Sequence, residues 1–125
     1  MKIAVVGTGM IAREALIALQ QVEGIEVVTI CARPHSRDKA RALAQEFGVP
    51  QVATDYGAML AAHEADFVYI GIVNSAHFDY ARQAIAAGWH VILEKPFTST
   101  LAEAEELIAR ARAAHCYLFE AVTPL

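Results

Sequence analysis

Short apolar runs, rich in valine and isoleucine, alternate along the chain with longer segments in which apolar residues recur at helical spacing. Such short runs are typical of parallel strands buried on both faces of a sheet, and the longer segments are typical of the helices that connect them. The pattern predicts six strands, at residues 2–6, 26–31, 51–53, 66–72, 89–93 and 116–121. We therefore expect βαβ units arranged around one parallel sheet.

Five helices are predicted between these strands, at residues 10–21, 37–47, 55–62 and 76–87 and from residue 100 onward. Ser36 is expected to cap the second helix, and a capping box from Thr100 to Glu103 opens the last. The residues expected to face the core are Ile11, Ala15, Ala18, Leu19 and Val22 in the first helix and Leu101, Ala104, Ile108 and Ala111 in the last. Six strands with helical crossovers predict an α/β fold, a doubly wound Rossmann sheet of strand order 3-2-1-4-5-6. Its ligand crevice is expected at the carboxyl ends of the strands.

Composition narrows the class of protein. A length of 125 residues suits one domain, and the net charge of -4 gives no basic surface to attract nucleic acid. No apolar run reaches the roughly 18 residues of a membrane span, and the start lacks the apolar region of a signal peptide. Cys31 and Cys116 form no metal-binding pattern, so we expect two buried, reduced thiols in a cytoplasmic protein. The histidines share no spacing, and no metal site is expected.

A glycine-rich turn joins the first strand to the first helix. It reads Gly7, Thr8, Gly9, Met10, Ile11 and Ala12, the G-x-G-x-x-G/A pattern of dinucleotide-binding proteins. In that pattern the first glycine permits the tight turn, the second lets a pyrophosphate approach the backbone, and the third small residue lets the helix pack on the strand. The N-terminus of the helix would then bind the anion through backbone N–H groups. The alternative is a glycine turn that serves only to reverse the chain.

The end of the second strand bears on the choice of cofactor. NAD-binding proteins commonly place an acidic residue there to bind the ribose 2′-hydroxyl. This sequence has none between residues 31 and 37, and instead carries Arg33, Ser36 and Arg37. Two guanidinium groups and a hydroxyl suit a 2′-phosphate, which favours NADP over NAD as the cofactor. The alternative is that both arginines are solvated surface residues.

Two further segments follow the fourth and fifth strands, where the crevice is expected. They are residues 71–77, which include Asn74 and His77, and the tripeptide Glu94-Lys95-Pro96. With the glycine turn and the segment 86–91, they make the whole chain resemble the Gfo/Idh/MocA family of oxidoreductases. One departure is Val73, where the family often has proline before the asparagine. His77 is expected either to bond to a ribose or to cap the following helix.

The resemblance implies roles for the residues that follow the fifth strand. The lysine that matches Lys95 lies beside nicotinamide and substrate in that family, where it orients the reacting hydroxyl or carbonyl and helps to move its proton. The glutamate that matches Glu94 contacts the cofactor near the nicotinamide ribose. An ammonium beside a cationic nicotinamide ring would have a lowered pKa, which suits acid–base chemistry.

The resemblance also implies an activity and an assembly. It implies hydride transfer between NAD(P) and a sugar, polyol or related hydroxyl or carbonyl substrate. It further implies a homo-oligomer, together with a C-terminal domain for substrate binding and dimerisation that is absent from these 125 residues. A non-catalytic NAD(P)-binding module for redox sensing or partner binding is the alternative, and Lys95 favours the enzyme. A Rossmann-like domain for another ligand, such as S-adenosylmethionine, is disfavoured by Lys95 and the strand order.

Overall fold

A computed structural model describes residues 1–72, 76–94 and 100–121 of the chain. The six strands are β1 (Lys2–Val6), β2 (Glu26–Cys31), β3 (Gln51–Ala53), β4 (Phe67–Ile70), β5 (His90–Glu94) and β6 (Leu118–Ala121). The five helices are α1 (Met10–Gln20), α2 (Arg37–Phe47), α3 (Tyr56–Ala62), α4 (His77–Ala86) and α5 (Leu101–Ala113), with one short 3-10 turn at Pro34–Ser36.

The strands form one parallel sheet of order β3-β2-β1-β4-β5-β6. This confirms the predicted α/β Rossmann fold and its strand order. Val6 at the end of β1 is level with Cys31 on one side and with Ile70 on the other. The three central strands therefore end together, and the turns that follow them meet at one edge of the sheet.

Two apolar cores lie on opposite faces of the sheet, because alternate residues of a strand point to opposite faces. Ile3 and Val5 of β1 pack with α1 and α2 on one face. Ala4 and Val6 pack on the other face with α3, α4 and α5. The buried Trp89 belongs to the second core, where its indole N–H donates to the Leu60 carbonyl at 3.1 Å. The two cores hold the sheet between two layers of helices.

The ends of several elements differ from the predicted ones by one or two residues. β4 and β6 are shorter than expected, and β5 begins one residue later. β6 starts only at Leu118 because Cys116 N donates to the Ala111 carbonyl and Tyr117 N donates to Nδ1 of His90. One half of the capping box is confirmed, because the Thr100 hydroxyl accepts from the N–H of Glu103 at 3.2 Å.

Three local predictions are wrong. Ser36 precedes α2 but makes no side-chain capping bond, since it ends the 3-10 turn instead. Cys116 is only partly buried, because it precedes an edge strand. The buried stripe of α1 consists of Ala12, Ala15 and Leu16, while Ile11 and Ala18 of this helix, and Val22 beyond its end, are exposed.

The buried face of α5 also differs from the prediction. Leu107, which is 0% exposed, and Ala111 face the sheet, whereas Ile108 is 43% exposed and Leu101 projects into solvent. The helix is apolar on more than one side, so helical spacing alone allows two orientations. The docking of α5 against α4 and the sheet selects the face that carries Leu107.

Replacing Leu107 by alanine should lower the free energy of unfolding by about 2–5 kcal/mol, because it leaves a cavity in the second core. Ile108→Ala removes the same number of carbon atoms from a half-exposed site of the same helix. It should change the free energy of unfolding by less than about 1 kcal/mol. Urea unfolding followed by circular dichroism measures both. Equal losses for the two variants would contradict the described orientation of α5.

Candidate functional site

An open cavity of about 750 Å³ lies where β1, β2 and β4 end. Its volume is within the range of small-molecule and cofactor sites, roughly 300–1,000 Å³. The residues that line it are Val6, Gly7, Thr8, Gly9, Met10, Ile11, Cys31, Ala32, Arg33, Pro34, His35, Ser36, Thr54, Tyr56, Gly71, Ile72 and Tyr80. The cavity therefore draws on the ends of four strands and on the starts of α1, α3 and α4.

The first glycine of the turn is required by the backbone. Gly7 has a φ of +127°, a conformation that residues with side chains rarely adopt. A Cβ at this position would lie 2.5 Å from the carbonyl oxygen of Gly71, which is too close for any side chain. The N–H of Gly7 donates to the Cys31 carbonyl at 2.9 Å. The turn is thus held between the ends of β2 and β4.

The second glycine opens the cavity rather than closing the turn. Gly9 has a φ of −82°, and a Cβ built on it would meet nothing within 4 Å. It precedes the first residue of α1, whose first turn contains no acidic residue. Ala12 is fully buried beneath Gly7. Backbone N–H groups at the positive end of a helix dipole therefore face open space, which suits an anion.

The loop after β2 supplies the cationic side of the cavity. Arg33 and Ser36 both line it, as predicted from the sequence, and His35 between them does so as well. The N–H of Ser36 donates to the Arg33 carbonyl at 2.9 Å, which closes the short turn. Arg37 is exposed at the start of α2 and does not contribute to the cavity wall. The described geometry thus brings one of the two predicted arginines to the site.

Part of the cavity wall is aromatic, and reasoning from the sequence missed it. The Tyr56 hydroxyl donates to the Tyr80 carbonyl at 2.6 Å, and the two rings lie 4.5 Å apart. Burial raises the pKa of Tyr56 well above its ordinary value and, with a smaller effect of the Asp55 charge, raises the pKa of the Cys31 thiol to about 11. Both groups are therefore uncharged at neutral pH. Thr54 at the end of β3 completes this wall, and its place at a strand's carboxyl end is the signal that could have identified it.

His77 and Glu94, two further predicted residues, do not line the cavity. His77 is the first residue of α4 and is fully buried, and its Nε2 donates to the Ile72 carbonyl at 2.8 Å. It does not cap α4, because Ala76 occupies that position. Glu94 is the last residue of β5 and is buried. Asn74 and Lys95 lie outside the described residues.

Neither a metal site nor a membrane-spanning helix is present in the described ranges 1–72, 76–94 and 100–121. No group of three His, Cys, Asp or Glu side chains there is placed to hold a metal ion. Within the same ranges, no helix has the length and apolar character needed to cross a membrane.

Residues 1–122 match the Gfo/Idh/MocA family, described as an oxidoreductase family with an NAD-binding Rossmann fold. D-apiose dehydrogenase of Paraburkholderia graminis is 36% identical over 106 residues, which are 85% of this chain and 28% of that protein. D-xylose 1-dehydrogenase (NADP(+)) 2 of Haloferax volcanii is 36% identical over 82% of this chain and 31% of its own length. The chain thus spans about a third of the length of the curated relatives that it matches.

Solved structures that superpose on this chain are also those of oxidoreductases. A 3-ketoreductase from Actinomadura kijaniata, in complex with TDP-benzene and NADP, superposes with a TM-score of 0.88 and 34% identity, over 96% of this chain and 37% of that one. An oxidoreductase from Agrobacterium radiobacter in complex with NAD+, L-tartaric acid and magnesium superposes with a TM-score of 0.89 and 26% identity, over 96% and 34% of the two chains. The chain therefore belongs to the Gfo/Idh/MocA oxidoreductase family and contains its NAD-binding Rossmann fold.

Proposed function

We propose that this chain binds NAD(P) in the cavity at the ends of β1, β2 and β4, as the cofactor-binding part of an oxidoreductase. The observation that carries the proposal is the contrast between the two glycines of the turn. Gly7 is packed against Gly71, whereas Gly9 leaves the N-terminus of α1 open to the cavity. A turn that served only to reverse the chain would not need the second glycine.

The residues that line the cavity fit a dinucleotide in three parts. The pyrophosphate would lie on the backbone of Thr8, Gly9, Met10 and Ile11, with Gly7 and Ala12 supporting the turn. The adenosine half would lie toward the β2 loop and the uncharged wall of Tyr56 and Tyr80. The nicotinamide half would lie toward the end of β5, where Glu94 is placed. When bound, the nicotinamide supplies the hydride chemistry.

NADP is our preferred cofactor, with NAD second. Arg33 and Ser36 line the cavity beside the end of β2, and no carboxylate occupies residues 31–37 to repel a 2′-phosphate. A guanidinium beside a hydroxyl suits that phosphate through charge-assisted hydrogen bonds. One relative carries NADP(+) in its name, while solved relatives hold NADP or NAD.

Lys95 is the proposed catalytic residue. It directly follows Glu94, the last residue of β5, and β5 lies next to β4 in the sheet. Its side chain would orient the reacting hydroxyl or carbonyl of the substrate and exchange a proton with it. Glu94 and Asn74 complete the set that we assign to the nicotinamide side. Support for these assignments comes from family membership and from the position of the residues at strand ends.

The substrate would be a sugar, a polyol or a related compound. Relatives of this chain are named D-apiose dehydrogenase, D-xylose 1-dehydrogenase and 1,5-anhydro-D-fructose reductase. Because the match covers about a third of such proteins, we propose that a further domain binds the substrate and supports a homo-oligomer. A negative net charge disfavours nucleic acid as a partner. Two free cysteines are compatible with the reducing cytoplasm.

A non-catalytic, partner-binding module is the second candidate, and an exposed aromatic surface favours it. The rings of Phe67, His90, Tyr117 and Phe119 lie next to one another across β4, β5 and β6, with the centroids of neighbouring rings 4.9–6.3 Å apart. Tyr117 is 64% exposed and Phe119 is 48% exposed. Exposed apolar surface beside an edge strand invites association with another polypeptide. This surface would suit a homo-oligomer, a further domain or a separate partner. A catalytic role of Lys95 is the feature that would distinguish an enzyme from a non-catalytic module.

The two glycines should respond differently to alanine. Gly9→Ala should keep the stability of the chain within about 0.5 kcal/mol, since its Cβ meets no protein atom. It should weaken NADPH and NADH alike by at least about tenfold, since the methyl group occupies the approach of the pyrophosphate. Gly7→Ala should instead lower the stability by about 1–3 kcal/mol or more through backbone strain. Calorimetric titration and urea unfolding measure the two effects.

Gly57→Ala is the matched control for these variants. It adds the same methyl group within α3, where the new Cβ makes an ordinary contact of 3.6 Å with Asp55. Its cofactor affinities should equal those of the unaltered chain. Normal cofactor binding by Gly9→Ala would contradict the placement of the pyrophosphate at the N-terminus of α1.

Cofactor preference should depend on Arg33. Its replacement by alanine should weaken NADPH by roughly ten- to a hundredfold and leave NADH nearly unchanged, because only NADPH carries the 2′-phosphate. Arg41→Ala is the control, since Arg41 is an exposed arginine of α2 that does not line the cavity. Titration of both cofactors into each variant gives the ratio, and equal losses for NADPH and NADH would refute this role of Arg33.

Replacing Lys95 should reduce the rate of turnover far more than it reduces cofactor affinity. In the whole protein, Lys95→Ala should slow single-turnover hydride transfer by about a hundred- to ten-thousandfold, the usual contribution of proton transfer by a side chain. Its NADPH affinity should stay within about threefold of normal. Lys39→Ala, at an exposed lysine of α2, controls for loss of positive charge. A hydride-transfer rate within threefold of normal would refute the catalytic role of Lys95.

A further inference from the structure

His77 is a buried imidazole that the proposed cofactor contacts do not use. It is 0% exposed, and it is not among the residues that line the cavity. Its Nε2 lies 2.8 Å from the carbonyl oxygen of Ile72, five residues earlier in the chain. A carbonyl oxygen can only accept, so Nε2 carries the proton and donates it. The bond joins the first residue of α4 to the segment that leaves β4.

That segment forms part of the cavity wall and also supports the glycine turn. Gly71 and Ile72 both line the cavity. The Gly71 N–H donates to the Val6 carbonyl at 2.9 Å, and the Gly71 carbonyl occupies the space that a side chain at Gly7 would need. The position of Gly71 thus determines how closely the glycine turn can lie against the sheet. A group that fixes Ile72 also restricts Gly71, its neighbour in the chain.

We propose that His77 is a positioning residue of the cofactor site rather than a cofactor ligand. Its imidazole fixes the carbonyl of Ile72 and thereby holds Gly71 against the glycine turn, which keeps the N-terminus of α1 in place for the pyrophosphate. The inference rests on the proposed function, because it assumes that a dinucleotide binds in this cavity. It also replaces both roles that the sequence suggests for His77, a bond to a ribose and a cap of α4.

Glutamine and methionine at position 77 test this role as a matched pair. Their side chains have nearly the same length and shape, but only glutamine carries an amide donor, at the same number of bonds from Cα as Nε2 of histidine. His77→Met should weaken NADPH and NADH equally, by about tenfold, because the pyrophosphate is common to both cofactors. His77→Gln should restore both affinities to within about threefold of the unaltered chain.

A purely structural role of His77 would change the stability of the chain without changing its cofactor affinity. Leu107→Ala damages the second core at a residue that does not line the cavity, and it should lower the melting temperature without changing either cofactor affinity. All titrations are done at a temperature where circular dichroism shows every variant to be folded. Equal affinities for the methionine and glutamine variants, or an unchanged affinity for the methionine variant, would overturn the positioning role. A selective loss of NADPH would also overturn it.

The unaltered chain provides a test that does not depend on the folding of a variant. Nitrogen-15 spectra of the imidazole should show His77 with its proton on Nε2, and the tautomer protonated only on Nδ1 would overturn the proposal. Cofactor binding by the unaltered chain separates the two claims. If it binds neither NADPH nor NADH, the proposed function and this inference both fail. If it binds both and the methionine variant binds equally well, only this inference fails.

Discussion

The close packing of the glycine turn against the end of β4 is the contact on which the candidate site depends. At Gly7 the backbone of the turn comes so near the Gly71 carbonyl that a single methyl group would collide with it. This approach lets α1 start directly at the carboxyl edge of the sheet, so that its N-terminus faces the cavity. Backbone N–H groups and a helix dipole can then bind an anion without any basic side chain. The end of the site that we propose to bind the anion is thus made mostly of backbone.

The rest of the cavity follows from the order of the strands. Because β1 lies between β2 and β4, the segments after these three strands meet around one opening. The segment after β2 contributes a positive charge, and α3 and α4 contribute two packed tyrosines. The wall of the opening therefore offers a cation that suits a phosphate and aromatic side chains that suit a flat, uncharged ring. This division of chemistry is what a dinucleotide requires.

The parts of the fold that were predictable from the sequence are those governed by local chemistry. The glycine turn, the six strands and their order follow from short patterns, and Gly7 and Arg33 lie where those patterns predicted. The buried faces of α1 and α5 could not be assigned, because both helices are apolar on more than one side and tertiary packing decides between the faces. The aromatic wall was also beyond prediction, since Tyr56 and Tyr80 come from separate helices and meet only in the folded chain. His77 was recognised as important, but its burial and its bond to Ile72 depend on packing that the sequence does not encode locally.

The most direct test of the account is to locate the dinucleotide on the chain by nuclear magnetic resonance. NADPH would be added stepwise to nitrogen-15-labelled protein, and the backbone amide signals would be followed. The account predicts the largest shifts at Thr8, Gly9, Met10 and Ile11, whose N–H groups surround the expected pyrophosphate, with further shifts at Arg33 and Ser36. A second, smaller cavity of about 300 Å³ lies between β3 and α3, beside Trp89. Shifts confined to Gln51, Met59 and Trp89 around that cavity, with the glycine turn unchanged, would contradict the account.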